Sequence, residues 1–267
     1  MPFVRTNGIQ LAYERKGRGE RVLMIMGSGA GGNVWTMHQV PALVKAGYEV
    51  ITFDNRGIHP SDVPPGDYCL ADLVADTAGL IEALWAGPCQ VVGTSLGAVV
   101  ATELARARPD LVTACVLIAT RARTDAMRRA LTVGERTLAT GGIQLPATYD
   151  ASMSVLQMFS PETLNDDAAS AVWLEVFELS FGRRTAASGQ TAIDLIPDRR
   201  DALRAITVPC RVIAFSHDLM CPPHLCAEVA DSIPDCDFIE IGSAGHLGYL
   251  EHPDEVNTAI IEFLDKH

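Results

Sequence analysis

The sequence predicts an α/β fold, a mostly parallel sheet with helices on both faces, and three observations carry that expectation. Strand-like and helix-like stretches alternate through the first half, an apolar strand passes into a helix through Gly93-Thr94-Ser95-Leu96-Gly97, and strand patterning resumes after a long helical stretch. Strands joined through helices pair in parallel, because only antiparallel neighbours can be linked by a tight turn.

The elements follow in order. Met1 to Thr6 begins with strand-like alternation, and Ile9 to Glu14 with Arg21 to Met26 reads as a hairpin around Lys16-Gly17-Arg18-Gly19. Val34 to Ala46 has helical spacing and ends at Gly47, and Tyr48 to Phe53 is a buried strand. Leu70, Leu73, Val74, Thr77, Leu80, Ile81 and Leu84 recur at steps of three and four, one apolar face of a helix. Cys89 to Val92 is the strand before the pentad, Ala98 to Ala107 the helix after it, and Leu111 to Ile118 the next strand.

From Arg121 to Arg204 the pattern is helical, as in Asp125 to Thr140 and Asp166 to Leu179, with breaks at Gly141-Gly142, Ser160-Pro161 and Gly182. Strands return at Cys210 to Phe215 and Asp237 to Ile241, and Pro253 to Leu264 is the closing helix. The expected division is a core of residues 1–120 and 205–267 interrupted by a cap of residues 121–204. Met153, Met158, Phe159, Trp173, Phe177 and Phe181 either line the ceiling of a pocket or pack the cap on the core.

At 267 residues and 48% hydrophobic, the chain can bury a large core. A net charge of −12 disfavours nucleic acid and anionic membranes as partners, since both repel it. Arg121, Arg123, Arg128 and Arg129 cluster as a solvated helix face or an anion site. The seven cysteines include no Cys-x-x-Cys pair and no metal-type spacing, and the N-terminus shows no apolar signal core, so a cytoplasmic protein without metal or cofactor is expected. The expected partner is a small-molecule substrate, for a monomer or homodimer.

Ser95 stands where a strained strand-to-helix turn lifts a hydroxyl into solvent, with glycines two positions either side. A serine needs a base, which is usually a histidine oriented by a carboxylate. Asp218 follows the strand ending at Phe215, and His246 follows the strand ending at Ile241, in the order serine, acid, histidine. Such strand ends are where open parallel sheets place their sites.

With these three motifs, and with Leu250-Glu251-His252-Pro253 leading into the last helix, the chain resembles the α/β-hydrolase superfamily over nearly its whole length, as a serine-nucleophile member with a helical lid. It is similar to enol-lactonase-like, esterase-like and biosynthetic hydrolases. The resemblance implies an eight-stranded sheet and a catalytic triad of Ser95, His246 and Asp218. It further implies an oxyanion hole from the backbone N–H groups of Leu96 and of Ser28, with Gly29 the neighbouring candidate for the second. Met26-Gly27 stands where the family usually has His-Gly, and His59 is displaced by one position from the family's usual place. Nothing matches a phosphate loop, and Gly27 to Gly32 fits the dinucleotide fingerprint only loosely.

The resemblance implies hydrolysis of an ester, lactone or thioester through an acyl-enzyme on Ser95. Two other uses of the fold stay open: the same residues in elimination, carbon–carbon cleavage or perhydrolysis, and a non-catalytic small-molecule receptor. Gly29, Trp35, Arg121, Met153, Met158, Trp173, Phe177 and Leu247 are the candidate substrate contacts, with Arg123, Arg183 and Arg184 the other polar groups of the cap. They suit a medium-sized, largely hydrophobic acyl or polyketide-like molecule, and the resemblance implies a place in small-molecule degradation or secondary metabolism.

Overall fold

The computed structural model describes residues 1–85, 87–186 and 188–267, with the backbone alone described for 181–186 and 188. The chain enters through β1 (Phe3–Thr6) and β2 (Ile9–Gly17), an antiparallel pair. They turn at Asn7 and Gly8, both with positive φ (44° and 80°), the conformation that a two-residue hairpin requires and that this residue pair adopts readily.

The hairpin expected at residues 16–19 does not form. Next in sequence is β3 (Glu20–Ile25), but β4 (Tyr48–Phe53) lies between it and β2, antiparallel to β2 and parallel to β3. The burial pattern explains why. Val22, Leu23, Met24 and Ile25 have no exposed surface, so β3 needs a neighbour on each side; burial of each such side chain stabilises by about 1.5–3 kcal/mol. Gly17 and Gly19, with φ of 76° and 127°, let the connection cross the start of β4: a Cβ there would lie 2.2 Å from the Tyr48 carbonyl and 1.9 Å from that of Gly47.

A 3-10 turn at Gly32–Met37 precedes α1 (Gln39–Lys45), so the helix expected from Val34 is broken at His38. α2 (Leu70–Trp85) buries the face formed by Leu73, Val74, Thr77, Leu80 and Ile81. β5 (Cys89–Thr94), α3 (Leu96–Ala107) and β6 (Val112–Ile118) follow. The chain then runs through α4 (Ala126–Thr140), α5 (Ala147–Met158), α6 (Pro161–Asn165), α7 (Asp167–Ala186) and α8 (Arg200–Leu203). The described residues of 121–204 contain no strand. Local signals start two of these helices: the side chains of Asp125 and Ser160 accept from the backbone N–H groups of Arg128 and Thr163.

The sheet is completed by β7 (Cys210–Phe215), α9 (Pro223–Ser232), β8 (Cys236–Ile241), α10 (Gly248–Glu251) and α11 (Pro253–Leu264). Among the described residues eight strands run in the order β1-β2-β4-β3-β5-β6-β7-β8, parallel from β4 to β8. The carboxyl ends of β3, β5, β7 and β8 therefore share one edge, from which Ser28, Ser95, Asp218 and His246 leave. Among the described residues no helix is long and apolar enough to cross a membrane.

Candidate active site

Ser95 has φ 53° and ψ −119°, a conformation strained for a non-glycine residue, and its side chain is half-exposed. Its N–H donates to the Ile118 carbonyl at 2.9 Å. The flanking glycines are required by space: a Cβ on Gly93 would lie 2.5 Å from the Gly97 carbonyl oxygen, and one on Gly97 would lie 2.2 Å from that of Ile25. Across from the turn, a Cβ on Gly27 would stand 3.2 Å from the Ser95 Cβ, so glycine there keeps the hydroxyl open. Leu96 begins α3, and N–H groups of a first helical turn have no partner within the helix.

Asp218 and His246 are both buried. Asp218 Oδ1 accepts from the N–H groups of Met220 (2.7 Å) and Cys221 (2.8 Å), and Oδ2 lies 2.8 Å from His246 Nδ1. A carboxylate only accepts, so Nδ1 carries the proton and Nε2 is left as the basic nitrogen. The two loops are tied together, because His217 N–H donates to the Ala244 carbonyl at 2.9 Å. Glu251, unmarked as a site residue in the sequence, accepts from Gly245 N–H at 2.6 Å and also from Ser160 N–H, Ser160 Oγ and Thr163 Oγ1 at 3.0, 2.7 and 2.6 Å.

The loop after β3 is held at both ends. Asn55 donates to the Met26 carbonyl at 3.0 Å, and Asp54 accepts from Gly32 N–H at 2.8 Å. Burial pushes the Asp54 carboxyl above its usual range, with the Gly32 bond working against it. In the middle, Gly29 N–H donates to Gln190 Oε1 at 2.9 Å. Among the described residues nothing in the protein accepts from the Ser28 N–H. A hydroxyl on a strained turn, an oriented imidazole and unpaired backbone N–H groups at one sheet edge are the parts that acyl transfer uses.

The family model described as "Alpha/beta hydrolase family" matches residues 22–259. The chain belongs to the α/β-hydrolase family. Over 257 residues, 96% of this hydrolase and 97% of its relative, it is 44% identical to a Mycobacterium tuberculosis protein that carries the name non-heme bromoperoxidase BpoC. The crystal structure of that protein from strain H37Rv superposes with a TM-score of 0.89 at 42% identity, covering 96% of each chain. An enol-lactonase from Burkholderia xenovorans LB400 gives a TM-score of 0.85 at 26% identity over 99% of this chain and 100% of its own. A thermophilic esterase from Thermogutta terrifontis gives 0.86 at 28% identity over 100% and 99%.

Within this hydrolase several expected substrate contacts are displaced. Trp35 has no exposed surface and packs against Tyr249 in a tilted arrangement, ring centroids 5.0 Å apart, so it is a core residue. Gly29 donates its N–H to Gln190, so of the two candidate N–H groups only that of Ser28 is without a protein partner among the described residues. Arg121 is buried: with Arg128 it clamps Asp194, at 3.0 and 2.6 Å, and its Nη1 touches Cys221 Sγ at 3.3 Å. Arg123 forks onto Glu228. The basic cluster is thus mostly an internal ion-pair network, with only Arg129 of the four exposed. Burial of a cation is tolerated only when it is paired, and the carboxylate shared by the two buried arginines, Asp194, lies 73 positions from Arg121 and 66 from Arg128, which also has Glu135 at 3.9 Å.

The other contacts gather beside His246. Leu247 N–H donates to the Met158 carbonyl at 3.0 Å, and Trp173 and Phe177 pack on the adjacent Phe159, centroids 4.6 and 6.1 Å away. Met153 is exposed on α5, and the side chains of Phe181, Arg183 and Arg184 lie outside the described residues. Ligand-type atoms of Asp218, Cys221 and His246 lie within 4.8 Å of one another. A cation there would have to break the Asp218–His246 bond and ionise a thiol that burial pushes up to about 12, beside the Arg121 guanidinium.

Proposed function

We propose that this protein is a serine hydrolase that cleaves an ester, lactone or thioester of a medium-sized, largely apolar small molecule through an acyl-enzyme on Ser95. The observation that carries the proposal is the buried 2.8 Å contact between Asp218 and His246 Nδ1, on the same sheet edge as the strained Ser95 turn. Ser95 Oγ attacks the substrate carbonyl carbon while His246 Nε2 takes its proton, and the carbonyl π electrons move onto oxygen. That oxyanion is received by the N–H groups of Leu96 and Ser28, each worth about 10²–10³-fold in kcat. As the tetrahedral intermediate collapses, His246 returns the proton to the departing alcohol or thiol. Water then repeats the sequence on the acyl-enzyme and frees the acid.

Residues 121–204 act as the lid in this proposal. The apolar group of Met158, Phe159, Trp173, Phe177 and Leu247, next to His246, favours a hydrophobic acyl part. Similarity to an enol-lactonase and an esterase supports the substrate class. Similarity to a protein named as a bromoperoxidase favours one second reading, in which hydrogen peroxide replaces water on the acyl-enzyme and releases a peracid.

A panel of aryl esters, lactones and acyl thioesters, with mass analysis of quenched enzyme, tests the proposal. The expected result is a burst of alcohol or thiol, one acyl adduct and an acid product, all lost in Ser95→Ala. Unsaturated products with no acyl adduct would overturn it in favour of elimination, and tight ligand binding without turnover would leave a receptor.

A further inference from the structure

Gln190 lies in the 3-10 turn Ser188–Asp194, between α7 and α8, and is completely buried. Its Oε1 accepts from Gly29 N–H at 2.9 Å and from Ser28 Oγ at 3.4 Å, and its Nε2 donates to the Arg56 carbonyl at 2.7 Å. The amide cannot be turned over without loss, since Gly29 N–H can only donate and the Arg56 carbonyl can only accept.

Both supports of this side chain are fixed. Arg56 is buried and forks onto Asp76 with two bonds of 2.8 Å, so the carbonyl that Gln190 reaches is held in place. Next to Gln190, the Gly189 carbonyl accepts from Tyr68 N–H at 2.9 Å, and a Cβ on Gly189 would lie 2.7 Å from the Gly66 carbonyl oxygen. The turn is pressed against the core.

What it holds is otherwise loose. Gly29 has φ 75° and nothing within 4 Å of where a Cβ would be, and Ser28 is exposed. The bonds from Asn55 and Asp54 fix the loop only at Met26 and Gly32. With glycine at 27 and 29, the peptides on either side of Ser28 rotate at little cost unless a partner fixes them.

We infer that Gln190 is a positioning residue for the oxyanion hole: by taking the Gly29 N–H it fixes the Ser28–Gly29 peptide and leaves the Ser28 N–H as the donor. This rests on the serine-hydrolase proposal and adds that a residue of the helical segment sets the geometry of the core's catalytic loop. A misplaced donor weakens transition-state binding and spares ground-state binding, so the loss belongs in kcat.

The test uses Gln190→Met, close in size but unable to bond, and Gln190→Asn, one methylene short of spanning both partners. Active sites are counted by titration with a fluorophosphonate, and kcat per site and KM for an aryl ester are measured beside the affinity of an aryl trifluoromethyl ketone, whose adduct carries an oxyanion. Expected in Gln190→Met is a 10–100-fold fall in kcat per site, a KM within twofold, and ketone affinity falling in parallel. Expected in Gln190→Asn, which keeps a buried polar partner and so guards against a variant that does not fold, is a fall of about tenfold. Wild-type kcat per site and ketone affinity in either folded variant would overturn the inference while the hydrolase proposal stands. A wild-type enzyme that neither labels at Ser95 nor turns over any ester would overturn both.

Discussion

The loop that carries His246 and the loop that carries Ser28 both leave the carboxyl end of a parallel strand, and a polar side chain with several partners ties each to the helical segment. On the histidine side the brace is Glu251, whose four partners are all donors: Gly245 N–H, Ser160 N–H, Ser160 Oγ and Thr163 Oγ1. On the oxyanion side it is Gln190, which accepts from Gly29 N–H and donates to the Arg56 carbonyl. A carboxylate suits a site of donors alone, and a primary amide suits one that mixes donor with acceptor. The residue type at each brace follows from what it must satisfy.

The comparison can be broken most severely at the acid. Asp218→Asn replaces an acceptor-only group with one whose amide can turn a donor toward His246 Nδ1, selecting the wrong tautomer; kcat is expected to fall about 10⁴-fold with little change in thermal stability. Unchanged kcat would remove His246 from the role of base.

Next is the brace on that side. Glu251→Gln presents an NH₂ group to a set of donors and leaves at least one unpaired, at a cost of about 1–3 kcal/mol in urea unfolding. Activity is expected to fall at least tenfold through the displaced Gly245-His246 loop. Stability and kcat both equal to wild type would show that the four contacts carry no weight.

Two glycines sharpen the oxyanion side. In Gly27→Ala the new methyl stands 3.2 Å from Ser95 Cβ, so kcat should drop about tenfold while the fold survives. Gly29→Ala meets no atom but must hold φ 75°, at about 1–2 kcal/mol, with kcat per labelled site near wild type. Equal kcat losses in the two variants would contradict the assignment of space around Ser95.

The smallest effect is expected at Met26. It is buried, and Tyr249 OH reaches its sulfur at only 3.8 Å, so Met26→Leu should cost about 1 kcal/mol or less and leave kcat unchanged. A large kcat loss would mean that the Met26 side chain does more at this position than pack.

The same comparison explains what could be read from the sequence. β5, β7 and α11 fall where periodicity places them, because their signals lie within a few residues. The His246 loop was equally legible, and Glu251, six positions from Gly245, lay inside a motif already noted. Gln190 was not, since it is 161 positions from Gly29 and sits in a stretch with no period or motif. Burial created by distant packing was equally hidden, as at Trp35 against Tyr249 and Arg121 against Asp194. The misplaced hairpin has a similar cause: β4 inserts between β2 and β3, although Asn7-Gly8 marked the true turn.

Intact-mass measurement after treatment with a serine-directed phosphonate, followed by peptide mapping, tests the central claim most directly. The expected result is one adduct per chain, on the peptide containing Ser95, formed by the native protein and absent from Ser95→Ala. An adduct that persists in Ser95→Ala, or that maps to another residue, would contradict it.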